Sequence, residues 1–340
     1  MLNPFIDSTE VQEDGAELNR RMARHGYLFV RRLLPAELLE SLRLQLLELA
    51  TAGGWVSTEA SLEEAIADLS SFCVEPQPDY NEVYHRMYKL PAFHALQHRP
   101  ELLELLERMC GEPAMPHPRM IGRTIFPDRE AYTTPAHQDF IPIQGSAETY
   151  TAWVPLHDLP AELGGLQVAA GSHTRGIYDF RPSGGAGGLE ITDPLEGTWA
   201  STPFAQGDVL FFHSMCAHKG LPNHGRALRM SMDARYQRIS DSIDGGSLQP
   251  HIKPVTWDEI YADWDGEFDD LKFYWQKWNL AVTEYDSRYY DKRDELAFEM
   301  AEDGNEQARS TLQRVVARSA DAAKRQRATE LLFRLDASLT

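Results

Sequence analysis

The stretch GDVLFFHSMCAHKGLPNHGRALRMSMDARYQ, residues 207–237, carries most of the information about the fold of this chain. It opens with a Gly-Asp turn, continues as an apolar strand, passes through a His-rich turn and ends in a strand that carries an arginine. Short runs of the same kind, rich in Thr, Val, Tyr, Trp and Phe, alternate with turn signals from Pro118 onward. Such short strands are typical of a β-sandwich or barrel. The sequence therefore predicts a β core over residues 118–240.

Helical patterns precede this core. Ser8 and Thr9 are predicted to cap a first helix, the strand YLFVRR follows, and a leucine-rich helix begins at Pro35. The segments SLEEAIADLSSF (61–72) and PELLELLERMCG (100–111) are predicted to form two more amphipathic helices. The N-terminal third therefore reads mainly as helix.

The chain turns helical again after the core, in a part that is acidic and rich in tryptophan. Four of the seven tryptophans lie there: Trp257, Trp264, Trp275 and Trp278. Aromatic residues at this density usually pack onto the body of the protein or onto a partner subunit. A homodimer through the C-terminal helices is therefore one expectation.

A glycine-rich segment interrupts the core. In RPSGGAGGLEITDPLEG, residues 181–197, the pairs Gly184-Gly185 and Gly187-Gly188 indicate a flexible loop, which is either a lid or a plain linker. The predicted class is α+β with a mainly β core. The predicted parts, all one unit, are residues 1–117 as helical support with the first strands, 118–240 as the core with a lid loop at 174–200, and 241–340 as a helical extension.

Composition limits the partners and the compartment. The 52 acidic residues exceed the 33 basic ones and give a formal charge of -19, which argues against nucleic acid as a partner. The three cysteines are far apart and form no CxxC pair, as expected for reduced thiols in a cytoplasmic protein. We recognise neither a signal peptide nor an apolar run of 18 residues, so no membrane association is expected.

A histidine and a carboxylate lie two residues apart in AHQDFIPI, residues 136–143. The segment is predicted to be a strand, so His137 and Asp139 are expected to project from the same face. Two histidines and one carboxylate on one face of a metal form the ligand set of non-haem Fe(II) oxygenases. A chance His-x-Asp on the surface is the alternative, because the motif alone has low specificity. A second histidine would come from the His-rich turn of residues 207–237.

In sum, the chain resembles the phytanoyl-CoA dioxygenase family of 2-oxoglutarate oxygenases from about Tyr27 to Gln237. The resemblance is carried by HQDF, by TAWVPLHDLPAELGGLQVAAGSH and by residues 207–237, in that order. The usual Pro-Gly-Ser-His of the family reads Ala-Gly-Ser-His from Ala170, which changes a turn and no ligand. The resemblance implies a double-stranded β-helix core (jelly roll, cupin-like), with Fe(II) as cofactor and 2-oxoglutarate and O2 as cosubstrates.

The resemblance also implies residue roles. The implied iron ligands and catalytic residues are His137, Asp139 and His218. The implied cofactor-binding residues are Arg229, Ser231, Trp153 and, on flanking strands, Thr149 and Arg123. Arg229 is expected to bind the far carboxylate of 2-oxoglutarate, and Ser231 is expected to add a hydroxyl contact to it. His213 competes with His218 as the third ligand, and Arg226 competes with Arg229. Since halogenating relatives replace the carboxylate with Ala or Gly, Asp139 argues against halogenation.

The implied reaction is hydroxylation, or another oxidation, of an unactivated C–H bond in a small-molecule metabolite or natural-product intermediate, with succinate and CO2 as co-products. A cupin-type metalloenzyme that does not use 2-oxoglutarate, or a non-catalytic ligand-binding relative, are the alternatives, and intact ligand and arginine positions argue against both. The substrate is a small molecule that the sequence does not name. The acidic composition favours a neutral or cationic compound over a CoA thioester, whereas Arg123 could instead anchor a substrate carboxylate.

Overall fold

A computed structural model describes residues 3–184, 188–195, 198–251 and 254–337. Within these ranges the α-helices are α1 (Gly15–His25), α2 (Ala36–Ala52), α3 (Pro78–Tyr88), α4 (Pro91–Ala95), α5 (Pro100–Cys110), α6 (Phe140–Ile143), α7 (Trp257–Tyr261), α8 (Arg288–Glu302), α9 (Arg309–Arg318) and α10 (Ala322–Ala337). The strands are β1 (Tyr27–Val30), β2 (Ala114–Pro116), β3 (Ile121–Ile125), β4 (Tyr150–Pro155), β5 (Leu166–Ala169), β6 (Phe180–Pro182), β7 (Leu189–Ile191), β8 (Trp199–Ala200), β9 (Val209–His213), β10 (His218–Gly220), β11 (Arg229–Arg238), β12 (Ile243–Asp244) and β13 (Val282–Thr283).

A large antiparallel sheet has the strand order β1-β9-β4-β11-β2, and β3 also pairs with β11. Alternation along β11 separates its two faces. Met230, Met232 and Tyr236 point outward, into the same apolar cluster as the leucines of α2. The opposite face of β11 carries polar residues at every second position, beginning with Arg229.

A smaller antiparallel sheet, β10-β5-β8, covers the inner face of the large one. One apolar cluster joins the two sheets, since it combines Phe29 and Phe212 of the large sheet with Val168 of the small sheet. The mixed α+β class with antiparallel strands is thereby confirmed, and the helices lie outside the sheets. The inner face of the large sheet is the surface that faces the candidate site.

Two of the predicted N-terminal helices differ from the structure. The segment SLEEAIADLSSF forms two short 3-10 turns, Leu62–Glu64 and Leu69–Ser71, instead of an α-helix. Backbone bonds from Leu228 to Ala65 and from Ala67 to Arg226 hold it in an extended path beside the core, which overrides its helical pattern.

The first helix begins later than predicted, and Asp14 caps it by accepting a hydrogen bond from the Glu17 N–H. Ser8 and Thr9 are bound to β1 instead, because Ser8 N–H donates to Phe29 O and the Thr9 hydroxyl accepts from Arg31 N–H. The helices predicted after Pro35 and over 100–111 are confirmed.

The C-terminal extension packs on the body of the chain. The Trp264 indole donates to Lys89 O at 2.8 Å, and Trp257 packs in the main core. Helices α8, α9 and α10 form an apolar cluster of their own. No helix within the described residues is long and apolar enough to cross a bilayer.

The glycine-rich segment contains the hairpin β6–β7. Gly185 and Gly187 of the predicted lid lie outside the described residues, while Ile191 N–H donates to Ala136 O, next to His137. The segment is therefore attached directly to the chain that leads into the site.

Candidate metal centre

Three potential metal ligands from distant parts of the chain lie together. His137, Asp139 and His218 offer ligand atoms that all lie within 4.8 Å of one another. Nε2 of each histidine lies 3.9 Å from Oδ1 of Asp139. Two imidazoles and a carboxylate match the donor set of non-haem iron sites.

The backbone brings these side chains together in a way that strand alternation does not predict. His137 forms a single antiparallel bridge with His218, in which each N–H donates to the other residue's carbonyl at 2.9 and 3.0 Å. Asp139 has helical dihedral angles and leads directly into α6. The expectation that HQDF is a strand is therefore wrong: a bridge followed by a helical turn aims both side chains at one point.

Both imidazoles are oriented by backbone carbonyls. His137 Nδ1 lies 2.8 Å from Pro135 O, and His218 Nδ1 lies 3.0 Å from Cys216 O. A carbonyl oxygen can only accept a hydrogen bond. Each Nδ1 therefore carries the hydrogen, and each Nε2 keeps its lone pair available for a metal. Such contacts are the usual way in which proteins orient metal-binding histidines.

The carboxylate of Asp139 is held from two sides. The Thr151 hydroxyl donates to its Oδ2 at 2.7 Å, and Arg235 Nη2 donates to its Oδ1 at 3.3 Å. Burial alone would raise the pKa of Asp139, but Arg235 and the two imidazoles outweigh it and hold that pKa below its usual range. Burial, together with neighbouring His218, lowers the pKa of His137 to about 3. At neutral pH Asp139 is therefore an anionic donor and His137 a neutral one.

Arg229 lies between the two sheets, with 5% of its surface exposed. Its Nη1 donates to Leu221 O at 2.9 Å and to Gly165 O at 3.3 Å, at the end of strand β10, which begins with His218. Its buried Nε has no hydrogen-bond partner within the described part of the chain. Burial lowers the pKa of Arg229 to about 10, which leaves it charged at neutral pH. A buried cationic donor without a partner fits a ligand carboxylate.

Ser231 and Trp153 share the inner face with Arg229. Ser231 follows Arg229 by two positions on β11 and is 2% exposed. Trp153 lies on β4 opposite Asp233 of β11 and packs its ring edge against Phe204 at 4.8 Å. Both side chains therefore lie on the face that also carries Arg229.

Thr149 and Arg123 are engaged in other contacts. The Thr149 hydroxyl donates to Ser146 O at 2.9 Å, one residue before β4 begins. Arg123 of β3 lies beside Ser231, and its Nη1 forms an ion pair with Glu75 at 2.8 Å. Their roles in binding a cofactor stay predictions.

The two competing residues lie elsewhere. His213 Nε2 is 3.4 Å from Glu148 Oε1, and His213 is not part of the three-residue group around Asp139. Arg226 is exposed, and its carbonyl accepts a hydrogen bond from Ala67.

Sequence reasoning missed Thr151, Arg235 and Asp233. The signal was available in RMSMDARYQ, because alternation from Arg229 places Ser231, Asp233 and Arg235 on one face. Thr151 could not be chosen over Thr149 in this way, since both precede Trp153 by an even number of residues.

Comparison with known proteins agrees with this geometry. The family described as phytanoyl-CoA dioxygenase (PhyH) matches residues 22–231. The 1-deoxypentalenic acid 11-beta-hydroxylase of Streptomyces exfoliatus is 30% identical over 268 residues, which cover 73% of this chain and 90% of that protein. The enzyme of the same name from Streptomyces arenae is 29% identical over 263 residues, 72% of this chain and 89% of that protein. Among solved structures, the non-heme alpha ketoglutarate dependent carbocyclase SnoK has a TM-score of 0.45 and 21% identity, covering 67% of this chain and 85% of that chain.

Proposed function

Because the chain belongs to the phytanoyl-CoA dioxygenase (PhyH) family, we propose that His137, Asp139 and His218 hold Fe(II) and that Arg229 holds 2-oxoglutarate. The protein is an Fe(II)- and 2-oxoglutarate-dependent hydroxylase of small-molecule natural-product intermediates. The observations that support the proposed residue roles most strongly are the convergence of the three donor atoms and the unpartnered, buried Nε of Arg229.

Iron and the cosubstrate, when bound, supply the oxidative chemistry. With O2, 2-oxoglutarate is converted to succinate and CO2, and one oxygen atom is inserted into a C–H bond of the substrate. The protein residues bind and orient. The Pro135 and Cys216 carbonyls keep both Nε2 atoms available for the metal, while Thr151 and Arg235 fix the carboxylate of Asp139.

Arg229 supplies a fixed charge for the far carboxylate of 2-oxoglutarate, and Ser231 adds a hydroxyl on the same face. Apolar residues between the two sheets, Phe212 and Trp153 among them, limit the access of water to this region. Thr149 and Arg123 remain proposed contributors at the margin of the cofactor region.

The finer features of the fold belong to this proposal. The two facing sheets form a double-stranded β-helix, and residues 1–117, 118–240 and 241–340 act as one catalytic unit in which 174–200 serves as the lid. A cytoplasmic location fits the free thiols of Cys73, Cys110 and Cys216. A homodimer through the C-terminal helices is also proposed, and light scattering of the purified protein tests it.

Turnover assays that omit Fe(II) or 2-oxoglutarate in turn test the function. The first candidate substrate is 1-deoxypentalenic acid, since two relatives are named for its hydroxylation. We expect a hydroxylated product that carries one atom from labelled O2, formed in equal amount with succinate and only when Fe(II) and 2-oxoglutarate are both present.

The alternative functions predict other results. Product formed without 2-oxoglutarate would support a cupin-type metalloenzyme. Binding of ligands without succinate release, across a panel of related terpenoid and polyketide compounds, would support a non-catalytic relative. The Asp139→Ala variant serves as the inactive control.

A further inference from the structure

A single buried carboxylate, Glu75, lies among three arginines and a histidine at the edge of the large sheet. Its side chain is 10% exposed. Oε2 lies 2.8 Å from Arg123 Nη1, and Oε1 lies 3.0 Å from Arg318 Nη2. Arg314 and His251 follow at 3.8 and 3.9 Å from Oε1. We call these five residues the Glu75 cluster.

The Glu75 cluster carries more positive than negative charge. Arg123 has a second acidic neighbour, Asp233, at 3.7 Å, so three arginines share two carboxylates. The charge of Arg119 acts on two buried groups of this region, since it lowers the pKa of His251 and opposes the raised pKa of Asp244.

The effects on pKa show that these cations share one electrostatic environment. Burial lowers the pKa of His251 well below its usual value; Glu75 opposes this, and Arg119, Arg123 and Arg318 reinforce it. Burial also lowers the pKa of Arg119, and among the charges around it Arg235 and Arg318 act in the same direction. A local excess of cations in a chain of formal charge -19 is a feature that composition does not explain.

The Glu75 cluster borders the candidate metal centre. Arg123 lies next to Ser231 in the paired strands β3 and β11, on the inner face of the sheet. On the same face of β11, Ser231 is followed by Asp233 and then by Arg235, at intervals of two residues. Arg235 donates a hydrogen bond to Asp139. A molecule that lies over the proposed iron ligands on the inner face of the sheet is therefore close to the Glu75 cluster.

The C-terminal extension supplies part of this region. Arg314 and Arg318 belong to α9, which lies beyond residue 231, where the family match ends. The extension also supports the turn after Asp139. Gln144, just past α6, exchanges two hydrogen bonds with the backbone of Asp286 at 2.9 and 2.7 Å.

The same extension contacts the segment proposed as a lid. Tyr289 and Tyr290 of α8 pack on the cluster of Ile141, Phe180 and Leu189, and thus on both α6 and the hairpin β6–β7. The substrate side of the metal centre is therefore bordered by residues from both the β core and the extension.

We propose that the Glu75 cluster forms a binding subsite for a carboxylate group of the substrate, and that α9 completes this subsite with Arg318. The inference rests on the proposed function. Glu75 holds the guanidinium groups in position and partly offsets their charge, and the 43%-exposed side chain of Arg318 meets the incoming anion. The substrate is thus an apolar molecule with a carboxylate, oriented by that group toward the iron.

Paired ligands that differ only in charge test this subsite. The probes are hydrophobic carboxylic acids of one to four rings, each beside its primary amide, titrated calorimetrically into anaerobic protein loaded with Fe(II) and 2-oxoglutarate. We expect at least one acid to bind about tenfold more tightly than its amide, as a charge-assisted contact implies.

Variants of the cluster residues then test whether the preference for the acid over its amide arises at the Glu75 cluster. Arg318→Gln should reduce the acid-over-amide ratio by about tenfold. Glu75→Gln should strengthen acid binding, because it removes the competing anion. The matched control is Arg327→Gln on α10, whose ion pairs with Glu295 and Glu302 are exposed and lie outside the cluster.

The outcomes separate this inference from the proposed function. If the visible band of the iron–2-oxoglutarate chelate forms but no acid in the panel binds better than its amide, the carboxylate subsite is wrong and the function stands. An acid preference that survives Arg318→Gln also overturns the subsite. If the chelate band does not form at all, the proposed function fails and the inference falls with it.

Discussion

The hydrogen bond from Thr151 to Asp139 gives a prediction that the sequence alone could not have made. The Thr151 hydroxyl is buried and lies 2.7 Å from Oδ2 of the carboxylate. A hydrogen bond to a charged group contributes about 1.5–3 kcal/mol, which corresponds to about 10- to 150-fold in an equilibrium constant. We therefore expect Thr151→Val to weaken Fe(II) binding by roughly 10- to 100-fold, the range typical for residues that support a metal ligand.

Valine suits this test because it keeps the β-branched shape of threonine in strand β4 and removes only the hydroxyl. Fe(II) affinity is measured anaerobically by competition with a chromophoric chelator. The matched control is Thr149→Val, since the Thr149 hydroxyl donates to Ser146 O and not to a ligand. An iron dissociation constant in Thr151→Val within twofold of the wild type would refute the reasoning.

The control variant also tests an expectation from the sequence. If Thr149 contributes to cofactor binding, Thr149→Val weakens 2-oxoglutarate binding while iron affinity stays unchanged. If its hydroxyl serves only the turn at Ser146, both affinities stay unchanged and the thermal stability falls.

Three further predictions concern the cosubstrate, the extension and pH. Arg229→Ala should leave iron affinity unchanged but raise the 2-oxoglutarate concentration needed for half-saturation of the chelate band by about 100-fold, and an unchanged titration would contradict its role. Truncation after Pro254 removes the bonds between Asp286 and Gln144, so both Tm and iron affinity should fall; full retention of both would show that the extension is dispensable. Burial lowers the pKa of His117 to about 3, below its usual 6.5, so its contribution to stability is complete above about pH 6.5 and is lost as pH falls toward 3. The Tm of the metal-free protein should therefore decline from pH 6.5 to 4 with a smaller slope in His117→Gln, and identical slopes would contradict this assignment.

The sequence predicted those parts of the fold whose local pattern agrees with their environment. Strands β9 and β11 and the helices after Pro35 and over 100–111 have periodicities that match their buried faces. The segment SLEEAIADLSSF has an equally good helical pattern but is held extended by backbone bonds to Arg226 and Leu228. Contacts between such distant residues leave no local signal.

The candidate site was likewise predicted from the sequence only in part. Resemblance and spacing pointed to His137, Asp139, His218 and Arg229, and the structure brings the first three together. The bridge-and-turn geometry of HQDF could not be predicted, because it depends on pairing with a strand about eighty residues away. The Glu75 cluster was equally hidden, since the residues around Glu75 come from β3, from residue 251 and from α9.

The most direct test of the central claim is an anaerobic titration of the protein with Fe(II) and 2-oxoglutarate, followed by the weak visible charge-transfer band of their chelate. The account predicts a band that saturates near one iron per chain, that is absent in His218→Ala and that persists in His213→Ala. A wild-type protein that binds iron without developing the band would contradict the use of 2-oxoglutarate. A band that survives His218→Ala and disappears in His213→Ala would contradict the proposed ligand set.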